Sequence, residues 1–140
     1  MSQRPFKILG IEHVGIAVES FDGLSNIFSD IFGLEFSGSE EIKDQQVITD
    51  IYETGRGKLE FLKATDKNSP IAQFIEKNGT GIHHIAFIVD DIEVALNFLK
   101  EKNINLVDSK PRIGAEGYKI AFIHPGSTGG ILIELCQKED

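Results

Sequence analysis

The sequence predicts an α+β fold in which two tandem βαβββ modules align their strands into an open, barrel-like sheet with a metal site in its central cleft. Three observations predict it. The segment Ile11-Glu12-His13-Val14-Gly15-Ile16-Ala17-Val18 returns as Ile82-His83-His84-Ile85-Ala86-Phe87-Ile88-Val89, Leu59-Glu60-Phe61 returns as Ile133-Glu134-Leu135, and a helical apolar pattern follows the first segment in both copies. The offset is 71 residues between His13 and His84 and 74 between Glu60 and Glu134, so the second copy is slightly longer in between. A module of this kind leaves one face of its sheet uncovered, and two modules side by side let the strands curl around a shared cleft.

Residues 8–18 are apolar and rich in β-branched side chains, which favours a strand. Ser20 reads as an N-cap, after which Phe21, Leu24, Ile27, Phe28, Ile31 and Phe32 fall at helical spacing until Gly33 stops the helix. Residues 34–36, 46–54 and 58–62 read as strands, the last two joined by the turn Gly55-Arg56-Gly57. A linker helix follows over residues 69–78, with Ser69 as N-cap, Pro70 at the first helical position and Asn78-Gly79 as the stop. The second copy repeats the order. It has a strand over 81–89, a helix capped at Asp90 or Asp91, and strands near 104–107, 118–123 and 130–135. Glu93 lies at capping-box spacing from Asp90, and Val94, Leu96, Phe98 and Leu99 supply an apolar face. The modules therefore span about 8–65 and 80–137 of a single domain, 1–140.

At 140 residues the chain is long enough to fold without staples. The one cysteine, Cys136, has no partner for an internal disulfide and reads as a buried apolar residue, which suits a reducing compartment. The start, Met1-Ser2-Gln3-Arg4-Pro5-Phe6-Lys7, lacks the apolar stretch of a signal peptide, and no segment reaches the length of a membrane span. A soluble cytoplasmic protein is expected, if the source is bacterial. With 14 Lys and Arg against 22 Asp and Glu, a net charge of −8 and no basic run, the chain repels nucleic acid and anionic membranes. An anionic substrate would need a local basic patch, for which Lys110-Pro111-Arg112 with Lys119 is the best candidate.

A lone histidine in an apolar strand is more often a hydrogen-bonded core residue than a ligand. Here the histidine recurs at one place in both copies, and so does a glutamate downstream. Two imidazoles and two carboxylates brought together make a donor set for a divalent metal, so His13, Glu60, His84 and Glu134 are the candidate ligands. A plain in-out alternation with Lys58 would also account for Glu60, whereas no other charge lies within residues 130–136 to do so for Glu134. His83 points to the opposite face from His84, and His124 begins a turn with Pro125. Gly126-Ser127-Thr128-Gly129-Gly130 lacks the helix and lysine of a phosphate-binding loop and reads as a turn.

These modules resemble the vicinal-oxygen-chelate superfamily of glyoxalases, extradiol dioxygenases and antibiotic-resistance proteins. Within it, the linker helix from Ser69 to Gly79, Gly81-Ile82-His83-His84-Ile85, Pro111-Arg112-Ile113-Gly114-Ala115, His124-Pro125 and Ser127-Thr128-Gly129-Gly130 are similar to methylmalonyl-CoA epimerases. The resemblance implies an isomerase acting on an acyl-CoA through proton abstraction at C2. It also implies one divalent metal ion, cobalt first, with zinc, manganese or nickel as alternatives, and a homodimer. Glu60 stands where some members carry glutamine, and Glu134 would serve both as ligand and as base. A second base of the family falls on Thr49, which has no carboxylate, while the adjacent Asp50 faces the other way. Two other readings share the fold: a glyoxalase working on a glutathione hemithioacetal, and a metal-free small-molecule-binding protein.

Overall fold

The computed structural model describes residues 3–139; Met1, Ser2 and Asp140, at the ends of the span read as one domain, lie outside the described residues. The fold is α+β. Its strands are β1 (Ile8–Ala17), β2 (Glu35–Ile42), β3 (Val47–Glu53), β4 (Lys58–Ala64), β5 (Gly81–Val89), β6 (Arg112–Ile113), β7 (Lys119–Ile123) and β8 (Ile133–Gln137). Its helices are α1 (Pro70–Asn78), α2 (Ile92–Glu101) and a π-helix over Asn26–Ile31. The chain divides into two compact units, one of His13–His83, the other of the residues up to Glu12 together with those from His84 onward. Among the described residues no helix is long and apolar enough to cross a membrane.

In the unit His13–His83 the strand order is β2-β3-β4-β1, with β1 parallel to β4 and the other pairs antiparallel. Alternation sends Val14, Ile16, Leu59, Phe61 and Tyr52 to one face, where Phe61, Tyr52 and Val18 form a core with Phe21, Leu24 and Phe28. The other face carries Ala17, Leu62 and Val47, which are covered by Ile71, Phe74 and Ile75 of α1. Ser69 caps α1 by accepting the Ile71 N–H at 3.1 Å, Pro70 occupies the first turn and Gly79 follows the last, the pattern read from the sequence.

The other unit has the order β5-β8-β7-β6, with β5 parallel to β8. Helix α2 lays Ile92, Ala95 and Leu96 against Val89, Ala121, Ile123 and Leu135. Phe6 joins this core and meets the Phe98 ring edge-on at 5.9 Å. The N-terminal stretch is tied there because Lys7 N–H donates to Asp90 Oδ1 at 2.8 Å. Asp90 is thereby engaged away from the helix. Asp91 is the N-cap, accepting the Val94 N–H at 3.1 Å, and Gln137 Oε1 accepts the Ile92 N–H at 2.8 Å from across the core.

Three elements differ from the sequence reading. The first helix is not an α-helix from Ser20: that hydroxyl accepts the Asp22 N–H at 3.0 Å in a local turn, and the π-helix begins after Ser25. Six apolar side chains are more than one helix face can bury. Phe28 is drawn 4.9 Å from the Phe61 ring, while Ile27, Ile31 and Phe32 stay exposed. The wider turn, closed by Phe32 N–H to Ile27 O at 2.9 Å, accommodates this before Gly33 at φ +79° ends it. Residues 104–107 give only an isolated bridge from Leu106 to Ile123, and the fourth strand of this unit is the short β6. Strand β2 runs to Ile42, well beyond residue 36, with a bulge between Phe36 and Gly38.

Leu96 is 1 % exposed in the α2 core. Leu96→Ala is expected to lower unfolding stability by about 2–5 kcal/mol, read from denaturant melts, because the cavity cannot fully collapse.

Candidate functional site

Both units build the same local arrangement. In one, β1 and β4 lie side by side with Lys58 opposite His13 and Gly15 opposite Glu60. In the other, β5 and β8 pair with Ala86 opposite Glu134, and Ala86 is two residues after His84 as Gly15 is after His13. Residues two apart on a strand share a face, so histidine and glutamate emerge together. The small Gly15 and Ala86 leave the space beside each carboxylate to the imidazole. His13 Nδ1 stands 3.2 Å from Glu60 Oε2, and His84 Nε2 stands 2.8 Å from Glu134 Oε1. All four are buried, with exposures of 4 % for His13, Glu60 and Glu134 and 5 % for His84.

The His84–Glu134 pair sits in a defined frame. The Phe122 ring, opposite Glu134 on β7, meets the His84 ring edge-on at 5.4 Å. Arg112 places its guanidinium carbon 5.8 Å from the Phe122 ring centroid. Its Nε is 3.4 Å from Asp108 Oδ1, an ion pair too loose to satisfy Nε as a hydrogen bond. Asp108 is held in turn, since its Oδ2 accepts the Phe122 N–H at 2.9 Å. Lys119 pairs with Glu139 at 3.5 Å. Of the basic patch read from the sequence, Arg112 is the member on the face of Glu134, since it pairs with Ile120, which pairs with Cys136.

The remaining candidates fall elsewhere. His83 meets the Phe74 ring of α1 edge-on at 5.0 Å. His124 Nδ1 accepts the Gly126 N–H at 2.9 Å and caps a 3₁₀ turn. The glycine-rich loop closes as a turn, with Gly129 and Gly130 at φ +77° and +95°. Thr49 is 1 % exposed and shares the face of Glu60, since its strand neighbour Ile51 pairs with that glutamate. Asp50 is on the opposite face, where it accepts a hydrogen bond from Ser39. Tyr52 shares that face, and its hydroxyl pKa is raised by burial and then by the charge of Asp50. Cys136, read from the sequence as apolar filling, shares the face of Glu134 with its Sγ 3.9 Å from Oε2. The period-two pattern of β8 carries that signal.

Burying an ionised carboxylate costs several kcal/mol unless a cation or strong donors offset it. Each unit answers with an imidazole at hydrogen-bonding range. Imidazole nitrogen with carboxylate oxygen is also a donor set for first-row divalent ions, so the buried pairs fit a metal site.

The model of the glyoxalase/bleomycin resistance protein/dioxygenase superfamily matches residues 12–122. The uncharacterised protein YqjC of Bacillus subtilis is 39 % identical over 127 residues, covering 91 % of each chain. The ethylmalonyl-CoA/methylmalonyl-CoA epimerase of Cereibacter sphaeroides is 36 % identical over 129 residues, covering 91 % of this chain and 96 % of its own. Among solved structures, a variant of Streptomyces coelicolor methylmalonyl-CoA epimerase in complex with 2-nitronate-propionyl-CoA superposes with a TM-score of 0.89 at 28 % identity. That match covers 96 % of this chain and 100 % of the other. With a family match of that length and relatives 39 % and 36 % identical over 91 % of the chain, the chain belongs to the glyoxalase/bleomycin resistance protein/dioxygenase superfamily.

Proposed function

We propose that this chain is a methylmalonyl-CoA epimerase, interconverting the 2R and 2S forms by moving the proton at C2. The observation that carries the reading is the buried imidazole–carboxylate pair at one register in both units. The relatives named as epimerases, and the acyl-CoA analogue bound to the Streptomyces enzyme, support the substrate. In this reading His13, Glu60, His84 and Glu134 together hold one divalent ion, cobalt first, with zinc, manganese and nickel tolerated by the same donors. Such an ion supplies positive charge to substrate oxygen that becomes negative during the reaction.

The chain's own groups do the rest. The C2 proton lies between a thioester carbonyl and a carboxylate, which makes it acidic. A Glu134 oxygen takes it: the C–H bond breaks, an O–H bond forms on Glu134, and the electron pair spreads onto the thioester as an enolate. Delivery of a proton to the other face yields the other epimer. Arg112, held beside Phe122, is the cation suited to the substrate's anionic groups, which a chain of net charge −8 otherwise repels. Burial of Glu134 keeps water from competing for the enolate.

We assign the protein to the cytoplasm, in keeping with its bacterial relatives and its single buried cysteine. We assign it a homodimeric state, which the exposed apolar run of Ile8, Leu9 and Ile11 supports.

Three experiments test this reading. Metal-loaded protein given one epimer of methylmalonyl-CoA in deuterated water is expected to produce the other epimer with deuterium at C2. Turnover of a glutathione hemithioacetal with methylmalonyl-CoA left untouched would transfer the assignment to the glyoxalases that the superfamily also contains. His84→Ala is expected to lose most of its bound metal by elemental analysis, and undiminished occupancy would remove His84 from the ligand set. Glu134→Gln keeps the shape and removes the base, so C2 exchange from one epimer should fall by about a hundredfold or more even where metal remains.

A further inference from the structure

In the epimerase reading above, on which this inference rests, Arg112 is the cation that meets the substrate's anionic groups. A long arginine side chain does this best when its direction is set before the substrate arrives. We propose that Asp108 is the positioning residue that sets it. Asp108 takes the Nε edge of the guanidinium and leaves the two terminal nitrogens to an anionic oxygen pair of the acyl-CoA.

Asp108 is itself fixed by Phe122 of β7. Its N–H donates to the Phe122 carbonyl at 3.2 Å, and its Oδ2 accepts the Phe122 N–H at 2.9 Å. The side chain thus does for Phe122 what a strand partner would do, and it is only 17 % exposed. The other oxygen, Oδ1, stands 3.4 Å from Arg112 Nε. Arg112 is set from the same strand. Its backbone pairs with Ile120, and Gly114 lies so close over Ile120 that an added Cβ would come within 2.7 Å of that side chain. The Phe122 ring, 5.8 Å from the guanidinium carbon, supports the far end. One residue, Phe122, therefore holds the acid by its backbone and the cation by its ring.

A surface ion pair contributes little where both side chains must be ordered to form it. Here Asp108 is already ordered by the Phe122 N–H. Closing the sheet edge requires only Oδ2, so Oδ1 serves the arginine. Arg112 Nε is buried whereas 39 % of the side chain is exposed, so the chain is enclosed at Nε and open elsewhere. Among the described residues, Asp108 is the carboxylate paired with it. The terminal nitrogens form a planar fork that fits a carboxylate or a phosphate through two parallel hydrogen bonds.

The placement suits the reaction. Phe122 is opposite Glu134, and its ring meets that of His84 edge-on at 5.4 Å. An anion on Arg112 is therefore separated from the His84–Glu134 pair by that one ring, all within the same unit. The substrate carries such oxygen pairs in two places, the carboxylate on C2 and the phosphates of CoA, and analogues lacking one or the other tell them apart.

The test measures epimerisation by wild-type enzyme, Asp108→Asn, Arg112→Gln and the double variant, with metal content and melting temperature recorded for each. Asparagine keeps an oxygen for the Phe122 N–H and loses the charge offered to Arg112. Asp108→Asn should raise KM for methylmalonyl-CoA about fivefold with kcat within about twofold, and should add nothing in the Arg112→Gln background. A rise that persists with methylmalonyl-pantetheine, and leaves inhibition by propionyl-CoA unchanged, identifies the C2 carboxylate as the anion. A rise confined to the CoA compounds identifies the phosphates. An unchanged KM in Asp108→Asn, or an equal further rise on top of Arg112→Gln, would overturn the assignment of Asp108. Should Asp108→Asn melt early, Arg112→Lys decides instead, because it keeps the charge and loses the edge that Asp108 holds. It should raise KM as Arg112→Gln does, and a wild-type KM there would overturn the assignment. Wild-type enzyme inert toward methylmalonyl-CoA would instead overturn the epimerase reading itself.

Discussion

The structure depends on burying a carboxylate beside an imidazole in the middle of a parallel strand pair, and on doing so twice. A buried carboxylate is tolerated only where something offsets its charge. His13 at 3.2 Å from Glu60 and His84 at 2.8 Å from Glu134 meet that condition. The histidine and glutamate strands are parallel neighbours in each unit, and a parallel pair needs a long crossover connection. That requirement explains why each module inserts a helix and two further strands between its histidine and its glutamate.

The cores follow from it. The face away from His13 and Glu60 is filled by an aromatic group of Tyr52, Phe61 and Phe28, and the face away from His84 and Glu134 by α2. The faces bearing the imidazole–carboxylate pairs are closed by smaller means: α1 over Ala17, Val47 and Leu62 in one unit, and Ala86, Ile120 and Cys136 with Tyr118 and Phe122 in the other. Gln137 caps α2 from β8, the strand that bears Glu134, so the helix and the carboxylate are set by one strand. A shift of β8 by one residue would turn Glu134 into the α2 core and Leu135 to the face of His84, which both cores oppose.

Where local chemistry and tertiary demand agree, the sequence was legible. Ser69, Pro70 and Gly79 bound α1 as capping preferences require, and β5 has the extent its apolar run suggests. The repeat made the histidine and glutamate strands plain, and alternation correctly turned Asp50 away from Thr49. Legibility failed where tertiary contacts overrode local pattern. Six apolar residues at helical spacing suggested an α-helix, but the pull of Phe61 and Tyr52 on Phe28 left half of them exposed around a π-turn. Asp90 had the spacing of a capping box, yet its carboxylate serves Lys7, a partner 83 residues away that no local window reveals. The two-residue β6 was hidden because Pro111 and Gly114 flank it, and only its pairing with β7 makes it a strand.

The central proposal is that His13, Glu60, His84 and Glu134 hold one ion. X-ray absorption at the cobalt edge of the cobalt-loaded enzyme tests it directly, because imidazole rings give a multiple-scattering signature that can be counted. The account predicts two imidazoles on each ion, from His13 and His84, with carboxylate oxygens completing the shell. A single imidazole per ion would mean that each pair binds alone or that only one binds, and would contradict it.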